Sequence, residues 1–354
     1  MMKRAAMRIV LLLAGISIMT LTDAATAQSP LPLRPYCLDR FEIGLPEHTE
    51  VSEKDNLGWL AYDAAFGGSS VFSTAPRAAS RRDLFEKAVI ERIGRIKPPP
   101  GETSSLKSTR RIDSRTTEFV YRPDDQAHAH VLFGQFVPGM LDIEILFERA
   151  ERLFRLRGSG EEDARAKTSA DLLALAARVR ARDDAEIPTE PGFCIPGGFI
   201  SGMPATGHER ISIDFNVPSH PELVIELSTL VLADVSGLTP KQRAERTQGM
   251  LSRIGARVKR VRFADRTLAG VIGFENAQIF GGPGEREILF TWRSNPEADS
   301  LARPSILISL QTRADTVLRS MSEPQVIAFW DALTRSFRMR PNALGADPAP
   351  SPPR

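Results

Sequence analysis

Cysteine is nearly absent from the 354-residue chain. Cys37 and Cys194 are the only two, so a multi-bridge framework is excluded and one pairing remains. Long apolar runs are also missing. The one run, "IVLLLAGISIM" at 9–19, is too short to span a bilayer comfortably, and no stable membrane insertion is expected after it. Charge of one sign is missing too. The excess of Lys and Arg over Asp and Glu, 46 against 44, resides in residues 1–27, which hold Lys3, Arg4 and Arg8 against Asp23. The remainder is balanced, which removes the electrostatic case for nucleic acid or an anionic membrane. No Walker loop and no Gly-x-Ser-x-Gly motif occurs.

The N-terminus reads as a secretory signal. A basic start precedes the apolar run, and "ATA" at 25–27 supplies small residues for cleavage after Ala27. A single membrane anchor is the competing reading. No Cys stands between the apolar run and Cys37, so a lipid-modified N-terminus is not expected. Export would put Cys37 and Cys194 where disulfides persist.

The two cysteines have similar surroundings, "RPYCLDRFEIGLPE" from 34 and "EPGFCIPGGFISGMPA" from 190. An aromatic precedes each, Leu38 or Ile195 follows, and the sites lie about one domain length apart. This spacing predicts one unit built twice. If the copies are related by a pseudo-two-fold axis, their first strands meet near it and Cys37 reaches Cys194. Two separate buried thiols, packed as small hydrophobes, are the alternative.

Hydrophobic periodicity supports the repeat. Phe85, Val89, Ile93 and Ile96 form a helical stripe over 80–96, with Ser80 as its cap. Beta-like segments follow, and 141–156 reads as a strand with a helix after it. A helix over 161–184 buries Leu172, Leu175, Ala176 and Val179. The polar, Pro-containing stretch 185–192 reads as a linker. In the second half Ile211, Ile213, Phe215 and Val217 alternate, and a helix is predicted over 239–254 with Thr239 as cap. Four strands come next, and a last helix over 322–337 carries Val326, Phe329, Trp330, Leu333 and Phe337 on one stripe. The fold class is therefore α+β: two similar domains, 28–184 and 193–341, each a mainly antiparallel sheet with helices on one face. A disordered Pro-rich tail is expected over 342–354.

Candidate catalytic groups are weak. Ser201 is followed directly by Gly202 and then by a strand, unlike a nucleophile elbow. His128 and His130 share a strand face but lack neighbouring ligands, and His48, His208 and His220 are scattered. Gly281, Gly282 and Gly284 fit a tight loop between strands. Trp292 and Trp330 lie on apolar faces and read as core. No metal, cofactor or catalytic residue is assigned, and a binding protein is the leading class.

Several motifs carry a resemblance. "FCIPGGFISG" (193–202), "LAGVIGFE" (268–275), "LFTWR" (289–293) and "AFWDALTRSFRMRP" (328–341) occur in order. Together they resemble the C-terminal domain of the type VI secretion immunity proteins that neutralise phospholipase effectors. "YCLDRFEIGLP" (36–46) resembles that family's N-terminal domain more loosely. The resemblance implies a non-enzymatic, periplasmic protein that binds a lipase-type toxin one-to-one as a monomer. The matched residues are Gly, aromatic and apolar, so no contact residue is carried over. An exported hydrolase and a structural envelope-binding protein are the alternatives.

Overall fold

The computed structural model describes residues 31–52, 61–62, 70–74, 83–96, 105–122, 131–132, 135–136, 140–204, 207–253, 255, 257–282 and 285–345. The expected signal segment, Ser80, His128 and His130 lie outside these residues, as does the tail beyond Gly345.

The first half opens with a hairpin, β1 (Leu33–Leu38) and β2 (Phe41–Pro46), followed by the short strands β3 (Glu50–Val51) and β4 (Ala61–Tyr62). Then come β5 (Ser70–Thr74), α1 (Asp83–Arg95), β6 (Leu106–Asp113), β7 (Thr116–Tyr121), the small pair β8 (Val131–Leu132) and β9 (Gln135–Phe136), β10 (Leu141–Arg149) and β11 (Arg152–Gly160). A 3-10 turn, Glu162–Ala164, leads into α2 (Arg165–Arg178), and β12 (Val179–Ala181) closes the half. The second half repeats the plan. It runs through the hairpin β13 (Gly192–Ile195) and β14 (Gly198–Ser201), then β15 (Glu209–Asn216), β16 (Leu223–Leu230) and α3 (Pro240–Arg253). The strands β17 (Val258–Leu268), β18 (Val271–Phe280), β19 (Glu287–Ser294) and β20 (Ser305–Thr312) follow, and α4 (Glu323–Ser336) and β21 (Arg338–Met339) finish it.

The sheet orders match as well: β5-β11-β10-β7-β6 in the first half and β16-β20-β19-β18-β17 in the second. The expected α+β class with antiparallel sheets is what the chain adopts. Helix placement differs from the expectation of a single face. Strand alternation sends Val120, Ile143, Ile145 and Phe147 toward α2, whereas Phe119, Tyr121 and Leu146 pack with Phe85 and Val89 of α1. The sheet is thus covered on both faces. The second half repeats this: Glu275 meets Trp330 of α4, and its neighbour-but-two Gln278 meets Gln248 of α3.

Other local departures have plain causes. Ile93 is 40% exposed, because Arg92 takes the inward position and grips buried Glu144 at 2.7 and 2.8 Å. Residues 141–156 form no helix. Ala150 and Glu151 adopt φ of 43° and 66°, which turns β10 tightly into β11. The helix α2 stops at Arg178, and Val179 is buried as the first residue of β12.

The halves interlock. Strand β21, after the last helix, pairs with β2 of the first hairpin, while β12 pairs with β14 of the second. Each closing strand thereby seats on the hairpin that carries the opposite cysteine. The free edge of β15 receives β3 and β4 from the first half. The segment 185–192 is pinned, its carbonyls at Pro188, Glu190 and Gly192 all accepting from Arg340.

The four α4 residues Val326, Phe329, Trp330 and Leu333 are fully buried. The Trp330 indole N–H donates to Glu275 at 2.5 Å, and its ring meets Phe290 edge-on with centroids 6.1 Å apart. Trp330→Ala is expected to cost about 3–5 kcal/mol, by cavity formation and loss of one of the donors to Glu275, which keeps Arg262 and Arg266. Urea unfolding measures it; an unchanged midpoint would contradict this packing.

Candidate interaction surface

The sequence candidates for chemistry take structural roles. The Ser201 hydroxyl donates to the carbonyl of Arg178 at 3.2 Å, tying the end of β14 to the end of α2. Gly202 beside it has φ 82°, a left-handed conformation that favours Gly. His48 sits in the left-handed turn after β2, with φ 62°. Trp292 is buried, and its indole N–H donates to the carbonyl of Arg266 at 2.9 Å. Among the described residues, no group of three His, Cys, Asp or Glu could hold a metal.

One constellation escaped the sequence reading. His220 Nδ1 lies 2.5 Å from the Ser320 hydroxyl, and that hydroxyl also donates to Glu222. A nucleophile needs its base on the hydroxyl and its carboxylate on the base. Here the carboxylate holds the hydroxyl directly, and the same carboxylate accepts from the Ser320 backbone N–H at 2.9 Å. The group is exposed and ties the turn before β16 to the turn before α4. Burial raises the pKa of the Glu222 carboxyl, but hydrogen bonds from the Ser320 hydroxyl and from backbone N–H groups outweigh it and hold the carboxyl below its ordinary range.

A buried polar centre joins the halves. Cys37 and Cys194 form a disulfide with Cα atoms 5.8 Å apart. Beside it Asp39 and Cys194 exchange backbone hydrogen bonds of 2.9 and 2.8 Å. Arg40 and Glu209, both buried, form a two-pronged pair at 2.6 and 2.8 Å. Arg182 and Arg340 hold equivalent places, each following a closing strand. The N–H of Arg182 donates to Gly197 in one hairpin turn and that of Arg340 to Arg40 in the other, both at 3.0 Å. Their guanidinium groups are spent on backbone carbonyls, among them Cys37 for Arg182 and Gly192 for Arg340. Burial lowers the pKa of both, Arg340 to about 10. The segments that carry these two arginines, "RAR" (180–182) and "RMR" (338–340), are alike in sequence as they are in place.

Asp39 is fully enclosed and its Oδ1 has no hydrogen-bond partner. Burial pushes its pKa up to about 6, against the pull of Arg40. The folded state therefore binds this proton more tightly than the unfolded state. The contribution of Asp39 is fully present below the ordinary carboxylate pKa and is lost as pH rises through about 6. Asp39→Asn is expected to flatten the fall in stability between pH 4 and 7 relative to the unaltered chain. Thermal unfolding across that range reads it, and parallel curves for the two proteins would contradict the assignment.

The outer surface is otherwise laced with ion pairs. Arg111 pairs with Glu86 and Arg303 with Glu297, while Arg115 and Arg157 reach inward to the buried carboxylates of Glu148 and Asp142. Exposed large apolar side chains among the described residues include Ile112 on β6, Met203 after β14 and Ile272 on β18, and five others lie on the two outer helices or beside one of them. Ile90 and Ile93 project from α1, Met250 from α3, and Val235 and Leu238 from the loop before α3. Among the described residues, no helix is long and apolar enough to cross a membrane.

Comparison with known proteins narrows what such a surface is for. Residues 186–342 match the family model of the Tle cognate immunity protein 4 C-terminal domain, so the resemblance read from the second-half motifs holds. No curated protein sequence matches the chain. The apo structure of the T6SS immunity protein TplEi from Pseudomonas aeruginosa superposes with TM-score 0.66 at 19% identity, over 87% of this chain and 97% of that one. The immunity fold in the structure of the Tle4–Tli4 complex gives TM-score 0.65 at 19% identity, over 88% of this chain and 98% of that one. A third structure, TplEi from the same organism complexed with an "L" peptide, gives TM-score 0.61 at 19% identity, over 88% of this chain and 99% of that one. At that identity the likeness is one of fold, and it runs through both halves.

Proposed function

We propose that this chain is an immunity protein that binds a phospholipase effector of a type VI secretion system and protects its own cell in the periplasm. The observation that carries the reading is the family match over residues 186–342. The fold likeness extends it to both halves, and one of the similar structures is a complex of Tli4 with Tle4. The interlocked disulfide suits an oxidising compartment, and the signal-like N-terminus suits export.

The mechanism is occlusion. A lipase that acts on membranes must expose its serine site to lipid, and a bound protein of this size denies that access. The chain turns over no substrate, because its role is complete on binding. A tight complex needs a buried interface of roughly 1,600 Å² or more. Two linked halves can supply it, the second contact being intramolecular once the first has formed. Cutting at 185–192 is a poor test of this avidity, because it separates β2 from α4 and β21 and leaves both parts incomplete. The appropriate test uses the full chain. Exported together with the lipase encoded beside it, the chain should keep a sensitive host growing. Lysis at the rate seen with the lipase alone would overturn the proposal.

A further inference from the structure

The least anchored helix is α3. Of its fourteen residues only Pro240 is buried, and Ala244, Gln248 and Leu251 are half-buried toward the sheet. Helices in globular proteins are normally held by an apolar stripe. Here the stripe is missing, and local devices stand in its place. The N–H of Gln242 donates to the Thr239 hydroxyl at 3.2 Å, the N–H of Thr239 donates to the Gln242 side chain at 2.9 Å, and Pro240 follows the cap. A Gln278–Gln248 hydrogen bond of 2.7 Å links the helix to β18.

The outward face has its own order. Arg243, Arg246, Met250 and Arg253 recur at i, i+3, i+7 and i+10, one stripe opposite the sheet, and all four are exposed. Met250 is 59% exposed, and Leu238 at the helix entrance is 45% exposed. Elsewhere on the surface Arg34, Arg110, Arg111, Arg303 and Arg338 are each paired with a carboxylate. The three on this stripe have no such ion pair among the described residues, and the one acid on α3 is Glu245. A methionine set among unpaired arginines is the composition of an interface centre, where Met and Arg are enriched and Lys is depleted.

We infer that the Arg243–Arg246–Met250–Arg253 face of α3 is a docking surface for an acidic protein surface with an apolar pocket at its centre, carried by the effector. The charge fixes the sign of the partner, and Met250 adapts its flexible thioether to the pocket. This identification of the partner rests on the immunity reading above.

The test titrates the full mature chain with the adjacent lipase, its catalytic serine replaced by alanine. Arg246→Glu and Met250→Ser are each expected to weaken binding roughly 10-fold or more, and together by roughly 100-fold or more. Raising salt should weaken the unaltered chain more than Arg246→Glu. Arg303→Ala, removing an exposed arginine already paired with Glu297, should bind unchanged. Both α3 residues are solvent-facing, so unfolding midpoints should stay at the parent value. If the unaltered chain binds and the double variant binds equally well, the docking surface is wrong and the function stands. If the unaltered chain binds no lipase, the function fails and this surface with it. If Met250→Ser instead dissolves a dimer of the chain, the face is a self-contact and the inference is overturned.

Discussion

Replacing Cys37 and Cys194 together by alanine is expected to lower the unfolding free energy by about 5 kcal/mol. The bridge closes a loop with a sequence separation of 157 residues. In the chain-entropy account its gain grows with the logarithm of loop length, so so long a loop lies near the top of the usual range. Alanine is the right replacement. The sulfurs pack in a buried apolar cluster with Phe199 and Ile187, where a serine hydroxyl would add its own burial cost. The effect should extend to both halves, because β12 sits on β14 and β21 on β2 beside the bridge. Guanidinium unfolding followed by tryptophan fluorescence gives the number. A loss under 1 kcal/mol, or loss of structure in one half alone, would contradict the interlocked arrangement.

Glu209→Ala is expected to cost about 3–5 kcal/mol, because it leaves the Arg40 guanidinium buried without its carboxylate. Glu209 is the residue at which β15 begins, and Arg40 stands in the turn of the first hairpin, so the pair spans the two halves. The carbonyls of Ala343 at 2.5 Å and Gly192 at 3.3 Å, which also accept from Arg40, are dipoles and do not replace that charge. The pair itself need not be a large net stabiliser, since two charges were desolvated to make it. Arg40→Met with Glu209→Leu should therefore recover much of the loss. Equal destabilisation of the single and double variants would show that shape rather than charge governs the site.

Local patterns were well expressed in the sequence. Ile211, Ile213, Phe215 and Val217 alternate in the sequence and are all buried on one face of β15 and just beyond it. The stripe of α4 is likewise buried as its spacing implies. The bridge between the two cysteines was the expectation that an even count and export favoured over two separate buried thiols. What could not be read was which hairpin each closing strand would choose. The segments "VRA" and "RM" carry no register information, and both hairpins offer the same backbone edge. The buried arginines were hidden for a related reason. Arg182 and Arg340 look like ordinary surface residues in sequence, and their burial follows only from the carbonyls that hairpin turns and the 185–192 segment bring around them. The α3 surface was not legible because 239–254 marks a helix and its cap but has no apolar stripe to say which face the sheet covers, and Met250 is exposed.

The central claim is that the chain stops a lipase by binding it. Its most direct test is a titration of phospholipid hydrolysis by the adjacent effector with the purified, oxidised mature chain. The account predicts a linear fall in activity to near zero at one equivalent, a one-to-one complex by light scattering, and no hydrolysis by the chain alone. Undiminished hydrolysis at excess chain, or ester turnover by the chain itself, would contradict it.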